Sequence, residues 1–361
     1  MWKKAIYLIL ICTLLFAAVS CGGRSAEPEE TPETVEEPEE IELPQPEPEP
    51  EIVPLNPLTG LPLSDPSREN SRPMAVMLND VDGAMPQCGT TDADMIFEYN
   101  AEGGITRMVA FFQEPQLAGV IGSIRSARPC FVETVLGMDA IYFHAGGSEE
   151  AINMIGRYGM DHINGGAGGV FWRDSARMQT MAYEHTLMTS GESLAKCVVD
   201  QGFRSEHYDG YSYPVTYVEN AAPKAGSDAS HITVNFSWYK HTEFDYHADQ
   251  GRYLISQCYW GDTTSPYADG NNGVQVGVEN VLVLRTTVYN SGDWAGHMVI
   301  DLQGSGSGTF FCGGKSEPVT WHKESVYAPF TYTRADGTPL SLQAGKTYVC
   351  VIGNDAELDV R

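Results

Sequence analysis

The sequence predicts an α/β fold in two parts. A layered N-terminal domain of sheet and helices spans residues 55–219, and a smaller, mainly β domain spans 220–361. Three observations predict this. Apolar strand-like runs alternate with helix-like stretches as far as Gln201, the pattern that α/β layering produces. Composition then shifts to Ala, Pro, Gly, Ser and Asp across Glu219–Ser230, which marks a boundary. Beyond it, short strand-like runs are punctuated by Asp249-Gln250-Gly251, Cys312-Gly313-Gly314 and Ala335-Asp336-Gly337, all hairpin-type turns.

In order, 56–62 is turn-rich and 72–79 reads as a short buried strand. Residues 94–100 and 106–112 follow as strands, with Gly103-Gly104 suggesting a hairpin between them. The polar segment 123–129 leads into an apolar helical run, 131–138, with a start near Ala127 and Ser126 as its cap. Residues 139–144 form a fourth strand, and 148–158 an amphipathic helix with Ala151, Ile155 and Tyr158 on one stripe. Phe171–Asp174 is a short strand or turn, and 190–201 a helix capped by Ser190 or Ser193. The second half holds candidate strands at 231–238, 241–247, 252–257, 281–289, 297–302, 308–312, 318–323 and 347–352. Gly304–Gly308 alternates glycine and serine but lacks a phosphate-loop ending and a following helix, so it reads as a flexible hairpin turn.

The N-terminus sets an address. Lys3 and Lys4 precede an apolar stretch, Ile6–Val19, and the small residues Ala18-Val19-Ser20 stand directly before Cys21. The arrangement resembles a bacterial lipoprotein signal in which Cys21 is lipidated; an ordinary secretory signal is the alternative. Residues 26–54 carry twelve glutamates, eight prolines and neither lysine nor arginine, the composition of a disordered tether. Removing those glutamates and Lys3, Lys4 and Arg24 from a chain charge of −26 leaves −17 on the folded body. Nucleic acid is a poor partner for such a body. Its six cysteines (88, 130, 197, 258, 312 and 350) show no metal-type spacing and leave disulfides or buried thiols both open.

Chemistry concentrates in 102–148. No lysine occurs between Lys4 and Lys196, yet Arg107, Arg125, Arg128 and Arg173 lie in the first folded half. A guanidinium presents a planar fork for carboxylate or phosphate. Beside a helix start, Arg125, Ser126 and Arg128 suggest an anion site. Each arginine paired with an internal carboxylate such as Glu98, Glu102, Asp139 or Asp174 is the competing arrangement. His144 ends a strand ahead of Gly146-Gly147-Ser148, so His144, Ser148 and His185 are candidate polar partners of Glu102. Glu102, Asp174, His144 and His185 are the candidate catalytic groups. Glu98 and Glu102 would face one way but lie roughly 13 Å apart by strand rise, too far for a glycosidase pair unless the chain bends. No GxSxG or HExxH motif occurs, and no metal or cofactor site is expected. Trp238, Tyr246, Tyr253, Trp260, Trp294 and Trp321 fit either a sugar-stacking face or sheet packing.

These runs together resemble the YerB-like bacterial lipoprotein family (domain of unknown function 3048). The resemblance rests on NPLTGLP at 56–62, RPMAVMLN at 72–79, EGGITR at 102–107, IRSARP at 124–129, DAIYFHAGGS at 139–148, FWRD at 171–174 and HTLMTS at 185–190. In the second half it rests on GSGSGTFFCGGK at 304–315, VTWHKE at 319–324 and the closing DGTPLSLQAGKTYV. It implies a lipid-anchored envelope protein with a layered α/β domain and a smaller C-terminal domain, and no established reaction. Two departures bear on charge. Asn79-Asp80-Val81-Asp82-Gly83 stands where the family tends to carry a basic turn, and Glu184-His185-Thr186 replaces a more usual Pro-His-Asn. The expectation is an extracytoplasmic, membrane-anchored binding factor for anionic cell-wall material or a wall-assembly enzyme. The rivals are a wall-glycan hydrolase or lyase and a purely structural partner.

Overall fold

The computed structural model describes residues 53–166, 169–261 and 263–361. The leader, Cys21 and the tether as far as Ile52 lie outside the described residues. The first half contributes β1 (Met74–Asp80), β2 (Met95–Glu102), β3 (Ile105–Phe112), α1 (Pro129–Gly137), β4 (Ile141–His144), α2 (Glu149–Tyr158), β5 (His162–Asn164) and α3 (Gly191–Gln201). The second contributes β6 (His231–Asn235), β7 (Lys240–His247), β8 (Arg252–Tyr259), β9 (Asn280–Thr286), β10 (Gly304–Cys312), β11 (Lys315–Lys323), β12 (Thr347–Gly353) and β13 (Leu358–Val360). The N-terminal half thus mixes sheet and helix, and the C-terminal half is mostly strand.

One eleven-stranded sheet draws on both halves. Its core path runs β11-β10-β9-β12-β2-β3-β1-β4-β5, with β12 parallel to both β9 and β2, and β1, β4 and β5 mutually parallel in sequence. A six-stranded sheet contains β8-β7-β6-β13. Side chains alternate across the large sheet. Val76, Leu78, Met108 and Ala110 pack with Ile232, Phe244 and Ile255 of the smaller sheet, whereas Met77, Val109 and Phe111 pack with Phe131, Val135 and Ile155 of α1 and α2. The molecule is therefore layered as helices, sheet and sheet. Strands buried on both faces explain why 74–80 and 106–112 read as continuous apolar runs.

Several boundaries differ from the sequence expectation. α1 begins at Pro129, with Arg128 in the capping position and no side-chain cap, so Ser126 is not the cap. Asp139 precedes β4 rather than starting it, with φ 45°, and its carboxylate gathers Arg204 at 2.6 Å and His207 at 2.9 Å. Gly304–Gly308 is not a turn but the first half of β10, paired to β11. Gly306 lies opposite Trp321, whose indole folds over it to donate to the Arg285 carbonyl at 2.9 Å. A Cβ on Gly306 would sit 2.5 Å from that indole nitrogen. Glycine is needed there for close approach, not for a reversal.

Candidate functional site

The segment Ser123–Arg128 crosses the ends of three elements. Asn79 N–H donates to Ser123 O at 3.0 Å and Arg125 N–H to Met77 O at 3.0 Å, which fixes the segment over β1. Ile124 N–H donates to Leu187 O, and Ala145 N–H to Arg125 O, both within 2.9 Å. These four backbone bonds hold the segment in place and leave its side chains to do chemistry. A register shift between Asn100 and Glu102 in the β2–β3 hairpin turns Glu102 toward α1. Glu98 instead faces the smaller sheet, so the two glutamates lie on opposite faces and form no pair.

Glu102 is shared. Arg107 is ion-paired to one of its oxygens, and Arg128 Nε donates to the other at 3.0 Å. Arg107 also donates to Ser126 O at 3.0 Å, and Arg128 to Ala127 O at 2.7 Å. Burial pulls the Arg107 guanidinium down to about 9, against the restoring pull of Glu102. Arg125 differs. It makes no ion pair among the described residues, and its buried Nε has no hydrogen-bond partner. Burial lowers its pKa; Glu102 and Glu184 oppose that, while Arg128 and Arg173 add to it. Arg173 likewise has no carboxylate partner among the described residues: it donates to Tyr183 O and Thr186 Oγ1 and lies 3.8 Å over the Tyr183 ring. His185 Nδ1 takes a hydrogen bond from the Asn79 amide at 2.8 Å. An NH₂ only donates, so the imidazole proton sits on Nε2. Burial depresses the His185 pKa, with Arg125 and Arg177 adding to the shift and Glu184 opposing it, which keeps it a neutral donor.

Other expected partners are elsewhere. His144 is fully buried, with Nδ1 against Gly146 O at 2.7 Å and Nε2 against His162 Nδ1 at 3.0 Å, and it stacks between Tyr142 and His162. Burial lowers its pKa to about 4. Ser148 caps α2 through Ala151 N–H and lines a separate groove of about 1010 Å³ against the hairpin around Trp294. Asp174 accepts Arg177 N–H at 2.8 Å. Ser126 Oγ donates to Ala145 O. Among the described residues no hydrogen bond joins any two of Glu102, His144, Asp174 and His185. Of the aromatics, Tyr253 and Trp321 are core, while Trp238, Trp260 and Trp294 are exposed.

The comparisons decide the family. Residues 58–204 match the model described as "Protein of unknown function (DUF3048) N-terminal domain", and residues 232–349 match its C-terminal domain. The chain belongs to the DUF3048 family. It is 27% identical over 353 residues to "Putative lipoprotein YerB" of Bacillus subtilis (strain 168), spanning 97% of this chain and 96% of that one. The crystal structure of the YerB protein from Bacillus subtilis matches with a TM-score of 0.72 at 26% identity, covering 84% of this chain and 99% of that one.

Sequence reasoning missed one feature of this DUF3048 chain. Lys240, wholly buried between the sheets, lies 2.9 Å from Glu98 and 3.3 Å from Asp80. Thr242 and Tyr348 donate to Glu98 at 2.8 Å, and Thr106 and Tyr259 donate to Asp80 at 2.6 Å. Burial raises Glu98 to about 7, with Asp80 adding to the shift and Lys240 opposing it; Asp80 is held down despite burial, chiefly by Lys240. The signal was present: Lys240, Thr242 and Phe244 share the period-two inner face of β7. All six described cysteines are buried. His231, Glu243 and Asp245 bring ligand atoms within 4.8 Å of one another, yet His231 is already hydrogen-bonded to Asp245 and Thr233.

Proposed function

We propose that this DUF3048 chain is an envelope lipoprotein, anchored through Cys21 on the extracytoplasmic side of the membrane. On this reading it binds an anionic group of cell-wall material, or of an enzyme that assembles it, through Arg125, Arg173 and neutral His185. The address is supported by the leader and by similarity to a protein named a putative lipoprotein. Among the described residues no helix is long and apolar enough to cross a membrane.

The observation that carries the binding reading is Arg125. Arg107 and Arg128 already compensate Glu102, while Arg125 keeps a fork with no carboxylate and a buried Nε with no acceptor. An unpartnered buried donor costs free energy that an arriving carboxylate or phosphate would recover. Arg125, Arg173 and Arg177 against Glu184 make a local positive excess in a body of −17.

The test is co-sedimentation of the full chain, purified in detergent, with isolated wall sacculi. Saturable binding is expected, weakened about tenfold or more by Arg125→Ala, with no new reducing or anhydro-sugar ends. Sugar ends released in proportion to protein would replace this reading with glycan cleavage. Neither binding nor turnover would leave a purely structural partner.

A further inference from the structure

A second cavity, of about 480 Å³, opens at the edge between the two sheets, beside the loop that follows β1. Gln257, Tyr259 and Tyr267 line it from the smaller sheet, and Asp82, Pro86 and Trp260 line it from the rim. Neither Arg125, Arg173 nor His185 lines it.

Gln257 is 3% exposed, and its Oε1 accepts from the Lys240 ammonium. An ammonium only donates, so it fixes which end of the amide faces it. Nε2 is thereby turned away from Lys240, and it has no partner. A buried amide donor without an acceptor, on a side chain lining a cavity, calls for an acceptor oxygen from outside. Tyr259 adds no donor, because its hydroxyl is engaged by Asp80 at 2.6 Å.

Trp260 supplies an independent observation. It is 60% exposed yet held at φ 62°, a left-handed backbone that bulky residues rarely adopt. Its N–H donates to Tyr239 O at 2.7 Å, and its ring meets Tyr239 edge-on at 4.7 Å. Backbone strain at a surface indole beside a cavity is the kind kept for a ligand. The rim adds the Asp82 carboxylate and the hydroxyls of Thr263 and Ser265. The Asp82 carboxylate makes the cavity unfavourable for an anion.

We propose that this cavity binds an uncharged sugar ring bearing an acetamido or equivalent carbonyl group. The ring's CH face stacks on Trp260, its carbonyl accepts from Gln257 Nε2, and its hydroxyls donate to Asp82. The site stands independently of Arg125, Arg173 and His185 and selects an uncharged ligand.

The experiment titrates the full chain in detergent with tri-N-acetylchitotriose, read by tryptophan fluorescence and calorimetry. Saturable binding is expected, with Trp260→Ala weakening it about tenfold, Trp260→Phe retaining most of it and Trp294→Ala, on the separate groove, leaving it unchanged. All three variants should melt with the parent, because their side chains are largely exposed. Absence of saturable binding in the parent, or equal affinity in a folded Trp260→Ala, overturns the proposal.

Discussion

Arg107 and Arg125 lie close together and do different work. Arg107 is 2% exposed and bridges Glu102 to the Ser126 carbonyl, so Arg107→Ala leaves one Glu102 oxygen and that carbonyl without their donor, with only Arg128 still paired to the carboxylate; a loss of about 3 kcal/mol in urea unfolding is expected. Arg125→Ala should leave the unfolding midpoint nearly unchanged and reduce wall binding, because no protein acceptor loses a partner. His144 behaves as scaffold. Its folded pKa, about 4, lies below its ordinary 6.5, so its stabilising contribution is complete above pH 6.5 and is lost as pH falls toward 4. His144→Gln should flatten that acid limb in a pH series of unfolding midpoints. The sequence pointed to the right segment because its arginines cluster without lysine. It did not show which arginine is compensated, since that depends on the shift before Glu102 that turns this carboxylate toward α1.

At the scale of elements, glycine patterns were the hardest to read. Gly304-Ser305-Gly306-Ser307-Gly308 has turn composition but is a strand, because the Trp321 indole needs the space over Gly306. Gly306→Val should therefore cost about 1–3 kcal/mol by displacing that ring, measured by denaturant unfolding with Trp321 fluorescence as reporter. Helix ends were legible where a hydroxyl caps them. Ser190 Oγ accepts Ser193 N–H at 3.2 Å, and Ser190→Ala should cost about 1 kcal/mol. α1 gave no such signal: Pro129 starts it, and the residue before it is an arginine committed to Glu102.

For the whole molecule, the two-face burial of β1 and β3 was visible as unbroken apolar runs, and it sets the three-layer arrangement. The continuity of one sheet through both halves was not visible, because β12 reaches β2 from about 250 residues away and no local pattern encodes that pairing. At that junction Lys240 is the shared counter-charge of Asp80 and Glu98, and Lys240→Met should destabilise by about 3–5 kcal/mol. Glu98, raised from 4.5 to about 7, stabilises fully below pH 4.5 and progressively less as pH rises to 7; Glu98→Gln should abolish that slope. The central claim concerns the neighbouring layer, where Arg125 is left without an anion. Its most direct test is the binding isotherm of the full chain on isolated wall sacculi, compared between wild type and Arg125→Ala. The account predicts saturable binding that Arg125→Ala weakens about tenfold while the melting temperature holds. Equal isotherms for two equally folded proteins would contradict it.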